Sequence, residues 1–368
     1  MSLLVDIRKR FPDFSLSVSF RAENERVGLL GASGCGKSIT LKCIAGIETP
    51  DEGKIVIDGE TVFDSAKKIC IPPQKRRTGY LFQSYALFPT MTIEQNLAIV
   101  LRKVPSDERQ RRIGEIFEKL HLEGLRNRYP GRLSGGQQQR AALARILVSG
   151  PKIVMLDEPF SALDAFLRSQ VEEEVLETLQ SFKGTVLFVS HDRDEVFRIC
   201  DEMKVLQEGR IVACGRKEDL FRNPGNLEAA RLTGCKNIAE AKKAGSHRIM
   251  VPGWGIALDT NEAVPDDIAY VGIRAHHIRV PNPGETVNCF EFQVKRHKDS
   301  PFEHTEYITA IAKADPDRKA DDVKENLIRI VPDSVYAPAE HAESPSDTAS
   351  FVLPPEHLLL LKASSGNS

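Results

Sequence analysis

Apolar and polar positions alternate through the first 30 residues, with Leu16, Val18 and Phe20 on one face, and the stretch closes on the apolar run Val27-Gly28-Leu29-Leu30. A period of two predicts half-buried strands leading into a fully buried one. A glycine-rich segment, Gly31-Ala32-Ser33-Gly34-Cys35-Gly36-Lys37-Ser38, follows at once, and from Ile39 to Ala45 the spacing becomes helical. Gly53 to Gly59 reads as a strand bounded by turns. From about residue 92 helix formers and charged residues dominate, most strongly at Arg109 to Leu120 and Gln138 to Leu147, which predicts a helical subdomain inserted over about 84–150. Short buried strands return at Ile153 to Leu156 and Thr185 to Val189, with a helix-like stretch from Leu167 to Leu179 between them. That alternation predicts an α/β core with parallel strands.

Beyond about residue 235 the texture changes. Arg248 to Val251, Ile268 to Val280, Cys289 to Val294 and Thr305 to Ala312 are short apolar or alternating runs separated by Pro and Gly, as in a small β-barrel or sandwich. The expected division is an α/β domain over 1–235 and a small all-β, OB-like domain over 236–368. Pro316 to Glu325 reads as charged loop, Pro338 to Ser350 as loose polar chain, and the tail after Leu361 as disordered.

A chain of 368 residues is long enough for two cores. With 50 basic and 52 acidic residues, its net charge of -2 advertises neither nucleic acid nor an acidic substrate. The basic runs Lys67-Lys68 and Lys75-Arg76-Arg77 read as solvated surface. Seven scattered cysteines without a CxxC pair point to reduced thiols in a cytosolic setting, with Cys35 and Cys43 as small buried residues. No apolar run reaches the roughly 18 to 20 residues needed to span a bilayer, and Met1 to Asp6 lacks a signal-peptide layout. Work at a membrane would then run through a partner.

Gly31 to Ser38 fits G-x-x-x-x-G-K-S directly between an apolar run and a helix-like one. Glycines let backbone N–H groups turn around phosphate oxygens, Lys37 can reach the β and γ phosphates, and Ser38 can ligate Mg²⁺. Asp157 and Glu158 end a buried apolar strand. There Asp157 can hold Mg²⁺ through water and Glu158 can polarise an attacking water, which points to hydrolysis.

With these motifs in order, the first ~235 residues resemble the nucleotide-binding subunit of an ATP-binding cassette transporter, a P-loop NTPase fold with a helical subdomain. Leu133-Ser134-Gly135-Gly136-Gln137 matches that family's signature loop, and Pro159 to Asp164 resembles its D-loop. Gln83 resembles the Q-loop glutamine and His191 the switch histidine. The resemblance implies nucleotide contacts from Gly31 through Ile39, Mg²⁺ on Ser38, Gln83 and Asp157, and catalysis by Glu158, His191 and Gln83. It implies too that Ser134 to Gln137 and Asp164 serve an ATP sandwiched between two copies of the chain. An aromatic ring upstream should stack on adenine; the resemblance favours Phe11, with Phe14 as the competitor and core packing open to either.

A single cassette without a span, a second signature or a long coiled-coil insertion resembles an importer ATPase, and this implies two transmembrane permease subunits, indirectly an extracytoplasmic solute-binding protein, and no nucleic acid. Tyr270 to Arg279 and Phe351 to Leu358 resemble the opening and closing strands of the TOBE-like barrel found on importer ATPases. The junction Leu232 to Ile238 resembles molybdate-type or sulfate-type subunits, so an oxyanion is the expected solute, although no duplicated oxyanion-binding module is evident; a sugar, polyamine or iron importer is the alternative, and a soluble cassette protein that remodels a macromolecule the alternative of another class. His276 and His277 are expected on a strand, facing opposite ways, which argues against a shared metal.

Overall fold

In the computed structural model, residues 1–161, 165–300, 303–311, 328–330 and 348–363 are described. The chain divides into two units, Met1–Lys217 and Glu218–Ser368.

In the first unit β1 (Ser2–Arg10) and β2 (Ser15–Glu23) pair antiparallel, with Val5 opposite Phe20 and Ile7 opposite Val18. The alternation puts Leu3, Val5, Ile7, Leu16 and Val18 into one core. Next come β3 (Arg26–Leu30), the glycine loop and α1 (Lys37–Ala45), then the antiparallel strands β4 (Glu52–Ile57), β5 (Glu60–Asp64) and β6 (Ile69–Cys70). After β7 (Thr78–Leu81) the chain leaves the sheet for α2 (Ile93–Ala98), α3 (Ser106–Lys119) and α4 (Gly135–Leu147). These helices have a core of their own, in which Ile93, Leu97, Ile113, Phe117 and Leu133 are buried together. The sheet then resumes with β8 (Ile153–Asp157), α5 (Ala165–Gln180), β9 (Thr185–Ser190), α6 (Arg193–Ile199) and the hairpin β10 (Glu202–Gln207) to β11 (Arg210–Arg216).

These strands form one sheet in the order β6-β5-β4-β1-β2-β11-β10-β3-β9-β8-β7, with β10, β3, β9, β8 and β7 parallel. Leu30 pairs with Ser190, and Val189 with Asp157. The carboxyl ends of β3, β9 and β8 are therefore level, and the three loops that leave them meet at one edge, where α/β sheets bind ligands. Gly28 permits close helix packing on β3: a Cβ there would lie 2.4 Å from Val196 Cγ1 of α6.

The second unit opens with most of α7 (Lys217–Arg222) and with α8 (Leu227–Leu232), followed by strands in three small antiparallel sheets. One holds β12 (Asn237–Glu240), another β13 (Lys242–Gly245), β14 (Arg248–Val251) and β15 (Ile256–Asp259). β16 (Ile268–Ile273) joins the first, and β17 (Cys289–Ser300), β18 (Glu303–Ala310), β19 (Ile328–Ile330) and β20 (Thr348–Val352) make the third. The closing strand β21 (Leu359–Lys362) returns to the first sheet beside β16. Trp254, Ile273, Ile278, Phe292 and Ile308 share their core.

Four expectations need amendment. The run Ile268 to Val280 breaks at a 3-10 turn, Ala275–His277, so His276 and His277 do not face opposite sides of a strand. The His277 ring instead stacks on His357, centroids 3.8 Å apart, with His276 edge-on to it. Arg76 belongs to a basic run expected at the surface, yet it is 2 % exposed. The segment expected to be loose as far as Ser350 ends inside β20, and Lys362, expected to be disordered, belongs to β21. The expected loop Pro316 to Glu325, most of Pro338 to Ser350, and residues 364–368 lie outside the described residues.

Candidate nucleotide site

The glycine loop closes around Lys37. Its ammonium is buried, donating to the Gly31 carbonyl at 2.7 Å and the Ala32 carbonyl at 2.9 Å, with Cys35 Sγ at 3.9 Å. Gly36 has a φ of +106°, and a Cβ there would lie 2.7 Å from Leu16 Cδ1 and 3.0 Å from Phe14 Cζ. At Gly31 a Cβ would meet the Leu206 carbonyl at 2.4 Å. The loop thus needs glycine at both positions, one for conformation and one for close approach. Ile39 lies in the first turn of α1. Phe14 packs on the loop, while Phe11 sits 6.1 Å from it, ring to ring, with Lys9 Nζ 5.6 Å above the Phe11 ring.

Across the edge, Ser38 Oγ donates to Asp157 Oδ1 at 2.7 Å, and the Tyr80 hydroxyl donates to Asp157 Oδ2 at 2.7 Å. Burial, and then the neighbouring Asp157 carboxylate, push the Tyr80 pKa upward. Glu158 leaves β8 with φ +46°, a left-handed conformation that costs a side-chain-bearing residue about 1–2 kcal/mol. Its N–H is held by the Val189 carbonyl at 3.0 Å, and its carbonyl accepts from Ser161 Oγ at 2.9 Å. Its carboxylate lies 3.5 Å from His191 Nδ1. His191 is fixed between the end of β9 and α6, whose first turn Asp192 caps by accepting from the N–H groups of Asp194 and Glu195.

Gln83 follows β7, and its Nε2 donates to Ser161 Oγ at 3.1 Å, so one hydroxyl joins the glutamine loop to the carbonyl of Glu158. Ser38 and Asp157 offer a bonded hydroxyl and carboxylate, and Gln83, tied through Ser161 to the turn after Asp157, offers an amide. An all-oxygen set with one carboxylate suits Mg²⁺ held jointly with phosphates. Among the described residues no group of three or more His, Cys, Asp or Glu is placed to hold a metal by itself.

Ser134 to Gln137 lie at the start of α4. Ser134 Oγ accepts from the Gln137 N–H and Gln137 Oε1 accepts from the Ser134 N–H, a capping box. Gly136 allows α5 to approach, since a Cβ there would lie 2.6 Å from Val171 Cγ2. Gly135 begins the helix. Asp164 lies outside the described residues. Two contributors escaped the sequence reading. Ser161 stood inside a recognised motif without an assigned role, and Tyr80 carried a signal only in its place two residues before the Phe82-Gln83 pair.

A family model described as ABC transporter matches residues 14–161. A spermidine/putrescine import ATP-binding protein of Oleidesulfovibrio alaskensis is 42% identical over 218 residues, which are 59% of this chain and 57% of that protein. The chain thus spans little more than half of that relative's length. A molybdenum import ATP-binding protein of Rhodospirillum rubrum is 36% identical over 256 residues, 70% of this chain and 68% of that one. A bacterial ABC transporter cassette solved as a dimer superposes with a TM-score of 0.50 and 28% identity, covering 59% of this chain and 99% of its own.

Proposed function

The chain belongs to the ABC transporter ATP-binding family, and from that premise we propose that it hydrolyses ATP as the motor subunit of an importer. The observation that carries the hydrolytic reading is the pairing of Glu158 with His191, 3.5 Å apart, at the strand edge that also holds Lys37 and Asp157. Glu158 accepts the proton of the attacking water, and His191 orients that carboxylate and faces the γ-phosphate. Lys37 and the N–H groups of the loop from Gly31 through Ile39 hold the phosphates, so charge that builds on the transferred group meets fixed donors. Phe11 takes the adenine, with Phe14 supporting the loop from behind. Bound Mg²⁺ supplies neutralisation of the β- and γ-phosphate charge, held by Ser38, Gln83 and Asp157.

The functional unit we propose is a pair of copies. Ser134 to Gln137 present the start of α4, a place suited to anions. The dimeric cassette among the similar structures supports pairing of this kind; in the proposed pair each copy completes the other's site, and Asp164 is proposed to contribute to it. Closure then pulls on two permease subunits at the cytoplasmic face of the membrane, and an extracytoplasmic binding protein delivers the solute. Among the described residues no helix is long and apolar enough to cross a membrane. For the cargo we propose an oxyanion of the molybdate type, supported by the junction Leu232 to Ile238 and the molybdenum relative. A polyamine is the competing cargo, on the strength of the spermidine/putrescine relative.

Glu158→Gln tests the motor: ATP should stabilise a dimer while hydrolysis falls at least 100-fold, within the range general-base loss produces. Normal turnover in that variant would remove Glu158 from its role. Uptake of molybdate against spermidine by vesicles carrying the whole transporter separates the cargo readings.

A further inference from the structure

Asp157 is 8 % exposed, and its two carboxylate oxygens are taken by hydroxyls from different elements. Ser38, on α1, donates to Oδ1, and Tyr80, on β7, donates to Oδ2, each at 2.7 Å. We propose that Tyr80 is a positioning residue of the cation site, its hydroxyl fixing the rotation of the Asp157 carboxylate so that the opposite oxygen stays turned toward Ser38. This rests on the reading of Ser38 and Asp157 as cation ligands.

The fold explains how Tyr80 comes to do this. β7 and β8 run parallel with Tyr80 opposite Met155, so Asp157 lies two residues further toward the shared strand edge. A tyrosine is long enough to reach forward over that interval. Its ring is held in place by Phe82, centroids 4.5 Å apart, and by packing against the sheet core. An O–H donor on an ionised oxygen makes one of the stronger hydrogen bonds available to a protein, and here it acts where water has little access. The two hydroxyls also differ in what else they must do. Ser38 is itself a proposed ligand, so its bond to Oδ1 competes with that task, whereas the Tyr80 bond does not. Tyr80 stands three residues before Gln83, on the strand that delivers the glutamine loop, so a single strand orients two of the three proposed ligands.

Tyr80→Phe removes only the hydroxyl and keeps the ring. Binding of Mn²⁺, standing in for Mg²⁺ and followed by electron paramagnetic resonance in the presence of ATP, should weaken about 5- to 10-fold, as expected for losing one charge-assisted bond through an intermediary residue. ATP affinity measured in EDTA should stay within twofold. In turnover, half-saturating Mg²⁺ should rise by a similar factor, with kcat largely restored at high Mg²⁺, a rescue that a general loss of stability would not give. Unchanged Mn²⁺ affinity in Tyr80→Phe, or an equal loss of metal-free ATP binding, would overturn the proposal. Ser38→Ala separates the two levels. If it weakens Mn²⁺ binding and Tyr80→Phe does not, Tyr80 alone is refuted; if neither does, the cation site itself is misassigned and the proposal falls with it.

Discussion

Arg76 is the sharpest test of how this fold supports its nucleotide loop. Its guanidinium donates from Nη1 to the carbonyls of Cys43 and Ile44, at 2.9 and 3.0 Å, and from Nε to Ile71 at 2.7 Å. It thereby caps the far end of α1, the helix whose first residues are Lys37 and Ser38. Gly46 is part of the arrangement, because a Cβ there would come within 2.5 Å of Nε. Among the described residues no carboxylate pairs with Arg76; the negative end of the helix compensates its charge. Burial, the largest influence, holds its pKa below the ordinary arginine value, so the charge is less well accommodated here than in water. Replacement by Met keeps the aliphatic stem, releases that desolvation cost and strands the Ile44 and Ile71 carbonyls, while the Cys43 carbonyl keeps only the Gly46 N–H. At 2 % exposure water cannot replace the lost donors. Hydrogen bonds from a charged donor are worth about 1.5–3 kcal/mol each, while the desolvation returned is several kcal/mol, so the net loss should be about 2–4 kcal/mol. Arg76→Lys should lose about half as much, since one ammonium cannot reproduce the fork. The single tryptophan, Trp254, is buried in the second unit and supplies an internal control. In urea melts the far-ultraviolet circular dichroism transition should move while the Trp254 fluorescence transition stays. An Arg76→Met protein within about 0.5 kcal/mol of the parent at equal m would refute the capping argument.

Two further outcomes follow from the same geometry. Gly36→Ala forces a Cβ into a left-handed residue between Leu16 and Phe14, so ATP binding measured by calorimetry should weaken more than about 10-fold with the circular dichroism spectrum retained. In the second unit, burial first, then the charges of His357, His276 and Arg274, lower the His277 pKa to about 4. Above about pH 6.5 the ring is neutral folded or unfolded; between there and about pH 4 the unfolded chain binds the extra proton, so stability must fall as pH falls through that window. Discounted for its partial exposure, the loss should be about 1–2 kcal/mol. Trp254 fluorescence melts should show a smaller acid-side decline in His277→Gln; identical pH profiles would exclude the effect.

Much of the nucleotide-site candidate was legible in the chain because its chemistry sits in contiguous words. A glycine loop must follow a strand and precede a helix, so Gly31 to Ser38 declares its own context, and the apolar run before Asp157 and Glu158 does the same. The alternation in the first 30 residues and the helical stretches at 106–119 and 135–147 likewise carry their structure in local periodicity. His276 and His277 misled because a short apolar run cannot reveal where a strand yields to a turn.

Local order therefore determined the loop, the strand ends and the helices, since each depends on residues within one or two turns of itself. Tertiary structure alone decided which distant groups meet. A β7 tyrosine reaches Asp157 across 77 positions, and a hydroxyl at 161 receives Gln83 from 78 positions away. Arg76, apparently one of a surface trio, is buried against the end of α1 more than 30 residues upstream. The physical reason is common to the first two, which join the parallel pair β7 and β8 and the loops that leave it, whereas Arg76 comes from the turn before β7. Parallel strands are joined by long crossovers, so their neighbours are remote in sequence, and only the hydrogen-bond register of the sheet brings such side chains within reach.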